Sequence, residues 1–261
     1  MTPNYALALF ILGLVLCPRA FSQSVAVYVY HDDAPYRIDE RVDLSQQWVN
    51  QFNQQQSSIH FEIQHIERPI LNSVVESGQP YIILWANALW FKRRDPNVLS
   101  SEVLFWDADT LVSLVDNPID FNHAEQLQGL KIGARFGHYY SDFDPLFKSG
   151  RITRVDAKSS PENYQSLLAG KIDGFLDSRS TIAYLQKNKV AGSNIYVSLN
   201  PQDAYSRHIL VSKHNKILLP LINKVILEMK NDQAWQVKLE SWGVTKLVNP
   251  FELDLQELNE I

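Results

Sequence analysis

Apolar positions along the chain recur with two periods, and each change of period marks an element. The stretch "SVAVYVYHDD" alternates small and large apolar residues, the two-residue period of a strand, and its tip carries His31, Asp32 and Asp33. In "DLSQQWVNQFNQQ" the spacing lengthens, so that Leu44, Trp48 and Phe52 share one helical face with Asp43 placed as the N-cap. Alternation returns in "IHFEIQHI" and again in "QPYIILWAN". Strands that alternate with helical segments predict parallel pairing in an α/β sheet, with ligands at the carboxyl ends of the strands.

The pattern restarts after "LFWDADTLVSLVDNP". "LQGLKIGARFG" reads as a strand opening into a glycine-bounded turn, and Ser160 before Pro161 pairs a cap with an early helical proline. Gly170 closes that helix ahead of the strand "IDGFL", and Asp177 or Ser178 caps a further helix reaching Lys187. This middle third predicts a second small α/β unit. "SLNPQDAYSRHILVSK" carries another strand, after which Leu218, Leu221, Ile222, Val225 and Met229 recur at helical spacing, so the chain closes with helices. There are no internal repeats and no long charged linker.

Composition narrows the functions. The 261 residues, 45% hydrophobic and 20% charged, suffice for one large domain or two lobes of about 100 residues each. A formal charge of −5 leaves no basic footprint for phosphates, so no nucleic-acid partner is expected. The apolar run from Ala6 to Cys17, then Pro18, Ala20 and Ser22, predicts a signal peptide cleaved after Ser22 (residues 1–22), although a basic n-region is missing. That run is too short for a bilayer core of about 30 Å. Leu16 stands where a lipoprotein signal wants a small residue, so no lipid anchor is expected at Cys17, the sole cysteine. Its removal with the signal excludes disulfides, thiolate nucleophiles and cysteine metal sites.

Catalytic and metal signatures are missing. The histidines, among them His31, His138 and His208, show no ligand spacing, and neither a GxSxG nor a glycine-rich phosphate loop occurs. Asp32 and Asp33 are adjacent on a strand tip and point to opposite faces, which opposes joint acid and base work. No metal or cofactor is expected.

The segment "YIILWANALWFKRRD" is an apolar strand ending in Asn87, tryptophans and three consecutive cations, a strand that delivers its end to a site. Together with "YHDDAPY", "WANALWFKRRDPNVLSSEVLFWDADTLVS", "LQGLKIGARFG", "LLAGKIDGFLDS" and the closing "PLINKVILEMKNDQAWQVKLESWGV", it resembles, in order, the family 3 extracellular solute-binding proteins, the type II periplasmic binding proteins of polar amino acid uptake. The resemblance implies two α/β lobes joined by two hinge crossings, with a ligand held between them. Transferred here, lobe 1 takes residues 23–113 and returns over 205–261, and lobe 2 takes 114–204, with hinges near Leu114 and Asp203.

It also implies roles. Asn87 lies in the loop that meets a ligand ammonium, and Arg93, or Arg94 one register on, is most like the arginine that clamps the carboxylate, a planar fork that stays charged. Trp90 replaces the family's small hydroxyl residue, so it either flattens the ligand site or turns into the core. On lobe 2, Gly137, His138 and Tyr139 occupy the turn that donates to the carboxylate. Asp177 resembles the ammonium partner, though one residue short of the usual spacing, which Ser178 meets. Tyr30 and Tyr36 would wall the site.

Each residue also has a plainer reading: Trp85 as core, Tyr30 and Tyr36 as covers for the sheet end, Arg93 as part of a solvated charge run with Asp95, Asp177 as a helix cap. The expected function is a monomeric periplasmic protein, without catalysis, that captures an amino acid or related carboxylate and hands it to an ABC transporter permease. The alternatives are a sensor acting on a membrane receptor, and a periplasmic dehydratase with His138, Asp33 or Asp177 as general acid.

Overall fold

The computed structural model describes residues 23–38, 43–201 and 203–244, so the expected signal peptide and Cys17 lie outside the described residues. The first elements are β1 (Gln23–Val29), α1 (Leu44–Gln55), β2 (Ile59–His65), α2 (Arg68–Glu76) and β3 (Ile82–Ala86). A 3-10 turn (Ala88–Trp90) leads to β4 (Leu99–Ser100) and the long β5 (Phe105–Leu114). Then come β6 (Lys131–Arg135), α3 (Asp144–Lys148), β7 (Thr153–Ala157), α4 (Ser160–Leu168), β8 (Gly174–Ser178), α5 (Arg179–Lys187) and β9 (Ile195–Val197). The described chain ends with β10 (Asp203–Val211), α6 (Leu219–Asn231) and α7 (Gln233–Ser241).

Local chemistry explains most boundaries. Asp43 caps α1 by accepting from the Gln46 amide, as its spacing predicts. Ser178, rather than Asp177, caps α5 through the Thr181 amide, which frees the Asp177 carboxylate for other contacts. Helix α4 is capped one residue before the expected position: Ser159 accepts from the Glu162 amide, and Ser160 is already helical ahead of Pro161. Gly170 at φ +64 then reverses the chain after α4, a conformation that a Cβ disfavours.

The strands follow the order β2-β1-β3-β10-β5-β8-β6-β7, with β4 on β10 and β9 on β5. Pairing is parallel for β1 with β2 and β3, and for β6 with β7 and β8, as alternation with helices predicts. Strands β5 and β10 are antiparallel and belong to both halves. The far end of β10 pairs with β3 and β4, while Asp203–Arg207 pairs with Phe105–Asp109 of β5. Beyond that crossing β5 pairs with β8 and β9, so that Leu114 lies opposite Ile195.

Separate apolar cores sit on either side of the crossing. One packs Trp48, Phe52, Phe61 and Trp85 with Ile222 and Val225 of α6. A second on that side packs Leu71, Val75, Tyr81 and Phe91, and two on the other side gather Leu111, Ile132, Phe143 and Leu176, and Val112, Tyr164, Phe175 and Ile182. The two linking strands between these two sets of cores leave a cleft where the carboxyl ends of β1, β3, β6 and β8 converge.

Candidate functional site

The floor of the cleft is the β5–β10 crossing. Arg207 of β10 pairs with Asp107 of β5 at 2.8 Å, with side chains 4% and 0% exposed. Asp107 also accepts from Tyr36 Oη (3.1 Å), Ser180 Oγ (2.7 Å) and the Ser180 amide (3.2 Å), which joins both halves at one carboxylate. Arg207 spends its other donors on the Trp85 carbonyl (2.9 Å) and Tyr205 Oη (3.2 Å). Trp85 stands at φ 65, the left-handed region that a bulky side chain avoids at a cost of order 1–3 kcal/mol. Its indole is buried and donates to Ser45 Oγ, while its carbonyl faces Arg207 and His31. Burial and then Arg207 hold the His31 imidazole well below its ordinary pKa, so it is neutral.

On the β1–β3 side, the Arg68 guanidinium at the start of α2 lies 4.8 Å over the Tyr30 ring and 4.2 Å over Phe91. It donates to Asn72 Oδ1 and to the Trp90 carbonyl. Trp90 meets Tyr205 edge-on at 5.0 Å, with Arg207 5.8 Å from its ring centre, so it faces the crossing rather than solvent.

On the opposite side, β6 ends at Arg135, followed by a turn closed by His138 donating to the Arg135 carbonyl, with Gly137 at φ +74. Arg154 of β7 pins this turn by donating to the carbonyls of Arg135 and His138. Arg135 then reaches across the cleft to Asp33 at 2.7 Å and Asp32 at 2.6 Å, the bridge that holds the two sides together.

Three carboxyl groups around this cleft bind protons more tightly than usual. Burial raises Asp33 to about 6 against the pull of Arg135, with Asp32 adding to the rise. Burial raises Asp109 to about 7, opposed by the Tyr205 hydroxyl that donates to it at 2.9 Å. Burial, then neighbouring Asp33, raises Asp177 to about 8. Asp177 Oδ1 accepts from the Ser178 amide; Oδ2 and Ser160 Oγ are both buried without a well-formed hydrogen bond, and the Ser160 hydroxyl stands close enough to oppose part of the rise at Asp177. His138 is held down to about 4 by desolvation and then by Arg135, Arg68, Arg207 and Arg154, four cations gathered around a side chain that keeps an exposed surface.

These placements sort the expected site residues. Tyr30, Trp90, His138 and Asp177 come together around the cleft. Tyr36 is 2% exposed and spent on Asp107 and Ser180, so it is part of the floor rather than a wall. Asn87 caps the 3-10 turn through the Leu89 amide and donates to the Ser206 carbonyl, a joint between β3 and β10. Tyr139 is 65% exposed at the rim. The 3-10 turn after β3 leaves Arg93, the expected carboxylate clamp, exposed, and Arg94 pairs with Glu76 on the surface, so neither is placed with the cleft groups. The cations that act on the cleft's titratable groups are Arg68, Arg135, Arg154 and Arg207. Sequence reasoning missed these, and Asp109 with them.

Among the described residues no cluster of three or more His, Cys, Asp or Glu side chains could hold a metal ion, and no helix is long and apolar enough to cross a membrane. A separate cavity of about 210 Å³, lined by Phe105, Arg179, Ile182, Val197 and Val244, contains none of the cleft acids.

No protein-family model and no curated protein matches the chain. Solved structures do match. The substrate-binding protein of an amino acid ABC transporter is 18% identical, with a TM-score of 0.60 over 84% of this chain and 98% of that one. The GluR0 ligand-binding core from Nostoc punctiforme, in complex with L-glutamate, is 15% identical at a TM-score of 0.65, over 84% and 99%. The ancestral amino acid-binding protein AncCDT-1, a precursor of cyclohexadienyl dehydratase, is 15% identical at 0.64, over 84% and 95%. At these identities the likeness establishes the fold, the two-lobed type II periplasmic binding protein fold.

Proposed function

We propose that this chain is a periplasmic solute-binding protein that encloses a small amino acid or related carboxylate between its lobes and delivers it to an ABC transporter. The observation that carries the reading is Asp177 Oδ2, a buried and unpartnered carboxylate oxygen at the inner end of a cleft that Arg135 bridges. A buried acceptor without a donor costs about 1–3 kcal/mol, which a ligand ammonium would recover. Arg68, held flat by Tyr30 and Phe91 and without a carboxylate partner among the described residues, is the clamp for the ligand carboxylate in place of Arg93. Tyr30 and Trp90 wall the site, and the pinned turn at His138 closes over it. The lobes meet at the β5–β10 crossing, and hinge bending there opens the Arg135 bridge to admit the ligand. Delivery to a permease agrees with the transporter protein among the structural neighbours, while a membrane receptor is the other partner for the same closed form.

One observation favours a second reading: Asp177, raised to about 8 in the cleft, would hold a proton at neutral pH and supply the general acid of a dehydratase, the activity named for the enzyme that descends from one structural neighbour. Turnover of prephenate-like compounds would establish it.

The test is a thermal-shift series of the purified protein against amino acids and small carboxylates, with Arg68→Ala and Arg93→Ala alongside. A ligand at 100 times its Kd adds about 2.7 kcal/mol to stability, a clear rise in Tm. We expect one compound class to shift the wild type and the Arg93 variant but not the Arg68 variant. No shift with any compound would remove the reading.

A further inference from the structure

The cavity of about 210 Å³ outside the cleft takes its walls from both halves of the molecule. Phe105 at the start of β5 and Val244 beyond α7 belong to the core around Trp85. Ile182 of α5 and Val197 of β9 pack in the core around Phe175. One charged side chain lines the space, that of Arg179. The Ser178 cap makes Arg179 the first residue of α5, and Ile182, three positions on, shares its face of the helix. Arg179 Nη2 donates to the carbonyls of Leu199 (3.0 Å) and Ser198 (3.5 Å), while Nε is buried with no partner. The guanidinium has no carboxylate partner among the described residues, and no acid lines the cavity. A buried donor without an acceptor carries a desolvation cost that a ligand oxygen would recover.

Around this cavity the end of α7 meets α5. Trp242 stacks on Tyr184 at 5.8 Å and donates to Gln47 of α1, and Lys187 donates to the Glu240 carbonyl at 2.6 Å. Gly243, at φ +79, packs so closely that a Cβ would stand 2.7 Å from the Tyr184 amide nitrogen. Ser180 serves both places: it lines the cavity, and its amide and hydroxyl donate to Asp107 in the floor of the cleft. We propose that the cavity is a second binding site, for a small monocarboxylate with an apolar body. Its carboxylate meets Arg179, a planar fork that stays charged, and its body lies against Phe105, Ile182, Val197 and Val244. An ammonium would find no acid in this lining, so the ligand is an anion and not a zwitterion. The volume is below the roughly 300 Å³ at which sites for drug-sized ligands begin, which limits the body to one ring or a short chain. None of the residues assigned to the amino acid in the cleft lines this cavity, so the two readings stand or fall separately.

Isothermal titration and thermal shift of the purified protein with benzoate and hexanoate test it. Benzamide and hexanamide are the neutral analogues, and acetate is the head group without the body. Benzoate or hexanoate should bind with a Kd of about 1 mM or better, at least about 10-fold tighter than its amide and than acetate. Arg179→Gln, at a half-buried position, should weaken that binding about 10-fold or more, whereas Arg68→Ala should leave it unchanged. Val197→Phe puts bulk on the wall and should abolish hexanoate binding; thermal melts check its folding, and Arg179→Gln carries the test if it folds poorly. If Arg68→Ala removes binding and Arg179→Gln keeps it, the carboxylates occupy the cleft, which overturns the inference and supports the amino acid reading. Amides that bind as tightly as the acids, or no binding up to about 10 mM, overturn the inference and leave that reading as it stands.

Discussion

Replacing Arg207 with Met tests whether one buried ion pair fastens the two lobes. The change removes the partner of Asp107, whose side chain is fully enclosed, together with the donors to the Trp85 carbonyl and the Tyr205 hydroxyl. Breaking one side of a buried pair costs about 3–5 kcal/mol, because the other charge is left uncompensated. Asp107 keeps donors from Tyr36 and Ser180, which places the expected loss near the lower end, about 3 kcal/mol. For a chain of this size each kcal/mol moves Tm by roughly 2–4 °C, so Arg207→Met should melt about 6–12 °C below wild type. Asp107→Asn should lose a similar amount. The double variant should lose clearly less than the sum, since removing both charges leaves nothing stranded. Urea denaturation of all four proteins measures the coupling. Single losses under about 1 kcal/mol, or strictly additive ones, would refute the claim that this pair acts as a unit.

Three other outcomes follow from the same geometry. A Cβ on Gly133 would come within 2.6 Å of Asn163 Oδ1 and 2.8 Å of Phe175 Cβ, so Gly133→Ala should lose about 1–3 kcal/mol by overpacking α4 against β6, read as a lower urea midpoint. Ser45→Ala strands the buried Trp85 indole N–H and should cost about 1–3 kcal/mol, with a shift in tryptophan fluorescence; an unchanged melt would mean that the indole finds another acceptor. Ligand-free stability should fall as pH rises from about 4 to 8. Asp33, Asp109 and Asp177 hold protons in the folded state to about 6, 7 and 8 against a usual value of 3.8, so the stability they contribute is full below the usual value and is lost progressively as pH rises to and through the folded ones. Below about 6.5 the unfolded histidines take up protons that His31 and His138 refuse when folded, two groups against three, which makes the acid side of the slope shallower without reversing it. Tm measured from pH 5 to 9 should therefore fall, most steeply between about 6.5 and 8, and Asp177→Asn should flatten that fall.

Much of the fold is legible in the sequence because the hydrophobic period changes at each element. Alternation predicts β1, β2 and β3, and the four-residue spacing of Leu44, Trp48 and Phe52 predicts α1 with its cap. The short elements α3, β4, β7 and β9 carry too few periodic positions to be read that way. The site is half legible for a similar reason. Residues that stand at strand ends, such as Tyr30, His138 and Asp177, can be placed by topology alone. Asp107, Asp109 and Arg207 lie inside strands, and what makes them matter is the register of β5 on β10, with Asp107 opposite Tyr205, which no single-strand pattern reports. Arg93 shows the converse: it is close to a strand end in sequence, but the 3-10 turn leaves it exposed, whereas Arg68, the clamp proposed above, stands at the start of α2, where no strand-end pattern points to it.

The arrangement of charge also explains why the fold tolerates such a cleft. Burial makes a charged Asp177 costly, and Asp33 from the other side of the cleft adds to that cost. Arg135 offsets part of that repulsion, which keeps the lobes together while leaving a residual cost at Asp177. A ligand cation at Asp177 would remove that cost, and if hinge bending parts Asp33 and Arg135 from Asp177 it would do so only when the lobes are shut. Binding energy would then act on the open–closed equilibrium and not only on capture, and a ligand shifts such an equilibrium by its difference in affinity for the two states. On that argument Asp177→Asn should close more readily without ligand and respond less to it. Small-angle scattering would show a smaller radius of gyration for the empty variant than for the empty wild type, and an unchanged open form in the variant would defeat the argument.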